Sequence, residues 1–351
     1  VRTKHTTIGT AEAAQLLAQW PVGVAELRKF KDVFRVRTSE ADYVLKPLNK
    51  TRRRARYICG LTERLAEGES PLTPALVRTT SGSPMFSEND RRHWILCEWI
   101  GGRTTEWASL DDARFCTAAL ARFHQASRDY RPGPGQRPRV YFGRWPEKLV
   151  ERRAGLRRYV REARDRVVTG QSTSFEELAV VHGPRLLRWA DQAYQTLLES
   201  EYPALCAKYQ SVHQVVHGDP AGRNFVVTEY GRTRIIDLET IRQDIPALDV
   251  AKLLRRALKK HRWQPDVALD LLRAYGYEQS LEPEMMPIVW TFLAFPTKVY
   301  RDLNRYYEER PGWSYRRHLL KLRKHLRYAR RQDDFLEWAY ERFVVRRGGA
   351  G

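Results

Sequence analysis

In VVHGDPAGRNFVV, residues 215–227, a run of β-favouring valines breaks at His217-Gly218-Asp219-Pro220 and resumes at Asn224-Phe225-Val226-Val227. A plain hairpin needs only two turn residues, usually Gly or Asn at positive φ. This loop is longer, opens with an acid and closes with an amide. Phe225 to Thr228 and Thr233 to Ile236 are expected to pair across a turn at Tyr230-Gly231, which brings Asn224 and Asp237 to the open end of the hairpin. An amide oxygen and a carboxylate are hard donors that Mg²⁺ accepts when phosphate oxygens and water fill its other positions. Asp219 is then aimed at the same cleft, where it can take a proton from an attacking hydroxyl or amine, or orient that nucleophile. Lys46, at the end of Tyr43-Val44-Leu45, adds a cation for nucleotide phosphates. This is a minimal set for phosphoryl transfer, a reaction that rests on positioning and charge neutralisation.

The flanking sequence must supply the strands and helices that hold these groups. Val33 to Thr38 and Tyr43 to Leu48, separated by Ser39 to Asp42, read as a hairpin. Thr51 to Glu67 is helical, with Ile58, Leu61 and Leu65 on one face and Gly68 as its stop. Glu63, on the opposite face, is not expected to pair with Lys46. His93 to Glu98 reads as a buried strand running into Gly101-Gly102, where the boundary falls between an N-terminal lobe, residues 1–99, and a C-terminal lobe, residues 100–351. Ser109, with Asp112 three residues on, caps a helix. Helical patterns follow at Trp145 to Val168, Ser174 to Ser200, Ile245 to His261, Pro265 to Tyr275, Pro283 to Tyr307 and Ser314 to Phe343.

Composition bounds the partners. With 62 Lys+Arg against 42 Asp+Glu the chain carries a net charge of +20, which attracts polyanions in general and selects none. Specific nucleic-acid binding is therefore not expected, and a polycationic acceptor such as an aminoglycoside is disfavoured. The basic stretch Tyr315 to Arg331 carries Leu319, Leu322 and Leu326 among its cations and reads as an amphipathic helix with a solvated basic face, or as an anion-binding face. Cys59, Cys97, Cys116 and Cys206 form no C-x-x-C pair, so reduced, buried thiols are expected. No apolar run approaches the ~18 residues that cross a bilayer, and the first residues lack an apolar signal core, so a soluble, cytosolic protein with no membrane partner is expected.

HGDPAGRN followed by IIDLE resembles the H-G-D-x-x-x-x-N and I-D-x-E motifs of the aminoglycoside/choline phosphotransferase superfamily. YVLKPL, WILCEWIGGR, ALARFHQAS, GRWPEKL, DIPALDVAKLL and FPTKVYRDLNRYYEE extend the resemblance over residues 20–345, more narrowly to CotS-type spore-coat kinase-like proteins. The resemblance implies an α+β, two-lobed protein-kinase-like fold with a small β-rich N-lobe and a larger, mostly helical C-lobe. It implies ATP and Mg²⁺ as cofactors, Asp219 as catalytic base, Asn224 and Asp237 as metal ligands and Lys46 on the α/β-phosphates. Glu98, Trp99 and Ile100 would be the hinge whose backbone bonds adenine. Asp249 would brace the catalytic loop, and His217 would hold the loop backbone. The acceptor would be a small molecule or a protein, with spore-coat proteins as possible partners and the mother-cell cytoplasm or the coat as location. One departure stands out: LRKFKDVFRV, residues 27–36, lacks the glycines of a phosphate-covering loop, with Lys29 or Lys31 as compensating cations. A coat structural protein that keeps the fold without catalysis is the alternative.

Overall fold

The computed structural model describes residues 8–308 and 312–345. The chain gathers into two units, Val1–Val140 with Val212–Gln243, and Tyr141–Ser211 with Asp244–Gly351. Thr10–Leu17 forms α1, an element that the sequence reading did not anticipate. It buries Ala13 and Leu17 with Trp20 against Phe34, Val36, Leu45, Trp94 and Leu96 of a sheet. The strands of this sheet are β1 (Glu26–Phe30), β2 (Val33–Arg37) and β3 (Asp42–Leu48), followed after α2 (Arg52–Ala66) by β4 (Leu76–Val77), β5 (Phe86–Ser87) and β6 (His93–Glu98). Its order is β1-β2-β3-β6-β4, with β5 also on β6 and every pairing antiparallel.

Alternation fixes the register. Phe34 and Val36 point into the core while Arg35 is half-buried and Arg37 exposed, and burying each apolar side chain is worth about 1.5–3 kcal/mol. A one-residue slip would place two arginines in that core instead. Pro47 is tolerated in β3 because the β2 ladder stops at Phe34↔Leu45, so the missing N–H breaks no bond on that side.

The same unit holds β7 (Arg103–Thr104), α3 (Leu110–Ala126), and the short strands β8 (Val215–Val216), β9 (Phe225–Val227), β10 (Thr233–Ile235) and β11 (Arg242–Gln243). Ser109 caps α3 by accepting the Asp112 N–H, as the sequence predicted. β9 pairs with β10 in the register Val227↔Thr233, and β11 pairs with β8, which closes the chain around the loop between them.

The second unit is helical: α4 (Trp145–Val168), α5 (Ser174–Glu199), α6 (Tyr202–Ser211), α7 (Ala247–Lys260), α8 (Pro265–Glu278), α9 (Met286–Ala294), α10 (Thr297–Tyr307), α11 (Tyr315–Leu326) and α12 (Ala329–Tyr340). A capping box between Thr173 and Glu176 starts α5. α9 is buried from Ile288 to Ala294 and forms the centre of the unit. The pattern over residues 283–307 breaks at Phe295-Pro296, where Phe295 is extended (ψ 123°) because the proline ring disfavours helix before it. The pattern over 314–343 breaks at Arg327-Tyr328 with no Gly or Pro to announce it, and its end, Glu341–Val345, is a π-helical turn. Among the described residues, no helix is long and apolar enough to cross a membrane. All four cysteines are buried and unbridged, and burial pushes the Cys59 thiol up to about 12 and Cys97 to about 11.

Candidate active site

The loop from His217 to Asn224 is held from both ends. His217 is fully buried, its ring 5.9 Å from that of Phe123 and 6.4 Å from that of Phe225, and its Nδ1 accepts the Asp219 N–H at 3.3 Å. The Thr240 hydroxyl donates to the His217 carbonyl at 2.8 Å. The imidazole is thus placed to shape the backbone ahead of Asp219. A 3-10 turn, Gly222–Asn224, follows, and the Asn224 amide Nδ2 donates to the Asp219 carbonyl at 2.9 Å. That bond orients the amide, because committing the nitrogen to Asp219 leaves Oδ1 facing away from that bond as an acceptor.

The hairpin behaves as its spacing predicts at the open end. The Ile236 N–H donates to the Asn224 carbonyl at 2.8 Å, so Asp237 follows directly on a residue bonded to Asn224. Asp237 takes left-handed backbone angles (φ 65°, ψ 65°), which Asp adopts more readily than most residues but still at a cost. Strain of this kind is common where a side chain must be aimed.

Lys46 lies opposite Ile95 in the β3–β6 ladder and reaches the same place. Its Nζ is 3.4 Å from Asp237 Oδ1 and 3.5 Å from Glu239 Oε1, and Lys50 Nζ is 3.0 Å from Glu239 Oε2. Burial works to lower the Lys46 pKa, but the Asp237 and Glu239 charges outweigh it and hold the ammonium above its ordinary value. Lys46 is therefore a fixed cation at neutral pH. Glu63, by contrast, pairs with Arg78 at 2.6 Å.

Lys46, Asp219, Asn224, Asp237 and His217 are thus drawn into one unit. Asp249 belongs to the other unit, fully buried in the first turn of α7. Glu98 ends β6, where Arg234 grips its carboxylate at 2.6 and 2.8 Å. Burial raises the Glu98 pKa, yet the bonds from Arg234 and the Ala75 N–H prevail and leave it below the usual carboxylate value. The Glu98 and Trp99 N–H groups donate to the Ala75 and Asp42 carbonyls, and Arg35 lies over the Trp99 ring at 4.6 Å.

Sequence reasoning assigned nothing to Glu239, Arg223 or Arg234. Glu239 closes the IIDLE motif and so was in view. Arg223 pairs with Asp219 at 2.8 Å from four residues away, a spacing that could have been read. Arg234 and Glu98 are 136 residues apart, and no local signal joins them.

The glycine-free stretch is a tight hairpin in which Lys31 and Asp32 form the turn, with Lys31 at φ 57°. Lys29 Nζ donates to the Ile8 carbonyl at 2.9 Å, and Lys31 Nζ lies 5.4 Å from the centre of the Phe30 ring.

A small antiparallel sheet carrying a buried lysine, a D-x-x-x-x-N loop closed by an aspartate hairpin, and a larger helical region define the α+β, two-lobed kinase-like fold. Residues 29–288 match the APH family, described as a phosphotransferase enzyme family, and the chain belongs to it. An aminoglycoside phosphotransferase from Alicyclobacillus acidocaldarius superposes with a TM-score of 0.83 at 19% identity, covering 97% of this chain and 98% of that one. Spectinomycin phosphotransferase, in complex with ADP and spectinomycin, gives 0.63 at 12% identity over 93% of this chain and 99% of that one. A choline/ethanolamine kinase family protein from Mesorhizobium loti gives 0.53 at 14% identity over 94% and 99%.

Proposed function

We propose that the chain is an ATP- and Mg²⁺-dependent phosphotransferase that passes the γ-phosphoryl group to a hydroxyl or amine of a small molecule or coat component. The observation that carries this reading is the convergence of Lys46 on Asp237 and Glu239, beside a loop whose hydrogen bonds orient both Asp219 and Asn224. Nucleotide use is further supported by the spectinomycin phosphotransferase relative, which holds ADP.

Asn224 Oδ1 and Asp237 suit Mg²⁺ by donor type, and two protein oxygens are what that ion accepts beside phosphate and water. Bound there, Mg²⁺ would neutralise charge on the phosphate oxygens. The fixed charge of Lys46 holds the α/β-phosphates. Asp219 orients the acceptor and takes its proton as the new O–P or N–P bond forms and the bond to the ADP oxygen breaks. Arg223 steadies the Asp219 carboxylate from the loop itself. Because Glu98 and Trp99 have committed their N–H groups, the hinge donor left for the nucleobase is that of Ile100.

The tight Lys31-Asp32 turn favours a second reading, a CotS-type coat protein that retains the fold as a scaffold. Without glycine, and with Lys29 tied to Ile8, this hairpin offers phosphates no easy backbone approach. Asp219→Asn separates the two. The enzyme reading expects Mg-ATP affinity within a few fold of wild type and ADP release, measured with hydroxyl and amine acceptors, down by at least about 100-fold. The scaffold reading expects no acceptor-stimulated ADP release from the wild type at all.

A further inference from the structure

In the helical unit, the half-buried arginines of α4 are Arg152, Arg153 and Arg166. Arg153 pairs with Asp191 at 2.8 Å, and Arg166 with Glu162 and Glu176 at 3.0 and 3.2 Å. Arg152 differs. Among the described residues, no carboxylate lies within ion-pair distance of it, of Lys148 one turn before it, or of Arg301 on α10. Burial and then the Arg301 charge pull the Arg152 pKa below its ordinary value, and the exposed Glu151 opposes them only in part. The guanidinium stays protonated all the same, so a positive charge is partly withdrawn from water with no acid paired to it.

Aromatic rings lie among these cations. Trp145, Lys148, Arg152 and Gly155 follow at steps of three and four residues and so share one face of α4. Arg152 lies 5.7 Å from the centre of the Trp145 ring, and Lys148 Nζ lies 5.4 Å from that of Tyr141. The Trp145 indole N–H donates to the buried Asp244 at 3.1 Å, which fixes that ring. A Cβ on Gly155 would come within 2.8 Å of the Tyr300 ring, so glycine is what lets Tyr300 lie against α4 a turn beyond Arg152. Tyr141 and Tyr300 are both half-buried neighbours of Arg152. Two guanidinium groups offer planar donor forks that suit phosphate, and the lysine adds a point charge. Three cations match the double charge of a phosphate monoester better than the single charge of a carboxylate, and the tyrosines give a flat ring an apolar face.

We propose that Lys148, Arg152 and Arg301, walled by Tyr141 and Tyr300, form a binding site on the helical unit for a small phosphate monoester that carries an aromatic ring. The site uses none of the residues that carry the phosphotransferase reading and does not depend on it.

The test is calorimetric titration of phenyl phosphate, without Mg²⁺ and at about 150 mM salt, into wild type, Lys46→Met, Arg152→Gln, Arg301→Gln and Arg161→Gln. Arg161 is exposed and lies nine residues beyond Arg152, two and a half helical turns on, so its variant removes one charge from the opposite face of α4. Expected are equal binding by wild type, Lys46→Met and Arg161→Gln, a loss of at least 10-fold in Arg152→Gln, and a loss of several fold in Arg301→Gln. Arg301 is exposed, so its variant keeps the test decisive if Arg152→Gln misfolds. Inorganic phosphate should bind wild type several fold more weakly than phenyl phosphate. Undetectable binding, binding lost in Lys46→Met, equal losses in Arg152→Gln and Arg161→Gln, or inorganic phosphate held as tightly as phenyl phosphate would overturn the proposal.

Discussion

Gly218 is the point at which the active loop has least freedom to change. It sits at φ 83°, and a Cβ built on it would meet the Thr240 carbonyl oxygen at 2.5 Å. That carbonyl cannot swing aside cheaply. Thr240 is bonded through its hydroxyl to His217, Arg54 donates to the next carbonyl, that of Ile241, and Arg242 is paired with Val216. Gly218→Ala therefore incurs two costs. Left-handed backbone costs a non-glycine residue about 1–2 kcal/mol, and forced overpacking costs about 1–3 kcal/mol more. Their sum, roughly 2–5 kcal/mol, leaves a folded protein of ordinary stability, about 5–15 kcal/mol, badly weakened but still foldable. Gly231→Ala is the matched control. It has φ 71° but nothing within 4 Å of its Cβ, so only the backbone cost of about 1–2 kcal/mol applies. Urea unfolding of both variants should show Gly218→Ala as the weaker by about 1–3 kcal/mol. Displacing Asp219, the next residue, should also lower turnover by about 100-fold, the effect expected of a misplacement near 1 Å. Equal destabilisation by the two alanines would refute the packing argument.

Lys46→Met should lower kcat/KM for ATP by about 100-fold or more, measured by steady-state kinetics, because it removes the fixed charge on the phosphates. Its folded pKa is raised, so its stabilising contribution is full below pH 10.5 and is lost as pH rises through the folded value. The stability gap between wild type and Lys46→Met should accordingly hold from pH 7 to 10 and close above that range. Glu98→Gln should cost about 1 kcal/mol at pH 7, a figure kept low because the carboxylate is 40% exposed. The folded Glu98 pKa lies below 4.5, so its contribution is present above that pH and is lost as pH falls through the folded value. Denaturation at pH 7 and pH 3 should show the gap shrinking. Mg-ATP affinity should change little in this variant, because under the proposed function adenine would be bonded by the hinge backbone and not by the Glu98 side chain.

The hairpin beside the His217–Asn224 loop was legible because local pattern determines it. Valines flank a loop of fixed length, and the count from the Tyr230-Gly231 turn places Asn224 beside Ile236 and Asp237. β2, β3 and β6 were legible for a similar reason, as their alternation or continuous burial extends over five residues or more. β11 was not, since two residues carry no period. The partner of Lys46 was equally hidden. Helical spacing turned Glu63 away from Lys46 but gave no sign that Arg78 would take Glu63 or that Asp237 and Glu239 would take Lys46. The helical pattern read over residues 283–307 overran the break that Pro296 marks, whereas the turn at Arg327-Tyr328 left no residue-level sign.

The most direct test of the nucleotide site is calorimetric titration of Mg-ATP into wild type and Asp237→Ala at two salt concentrations. A surface of net charge +20 attracts any polyanion, and salt screens that attraction. Metal-dependent binding that persists at high salt and disappears in Asp237→Ala is the predicted result. Binding that salt removes equally from both proteins, or no binding to either, would contradict the phosphotransferase reading and leave the fold as a scaffold.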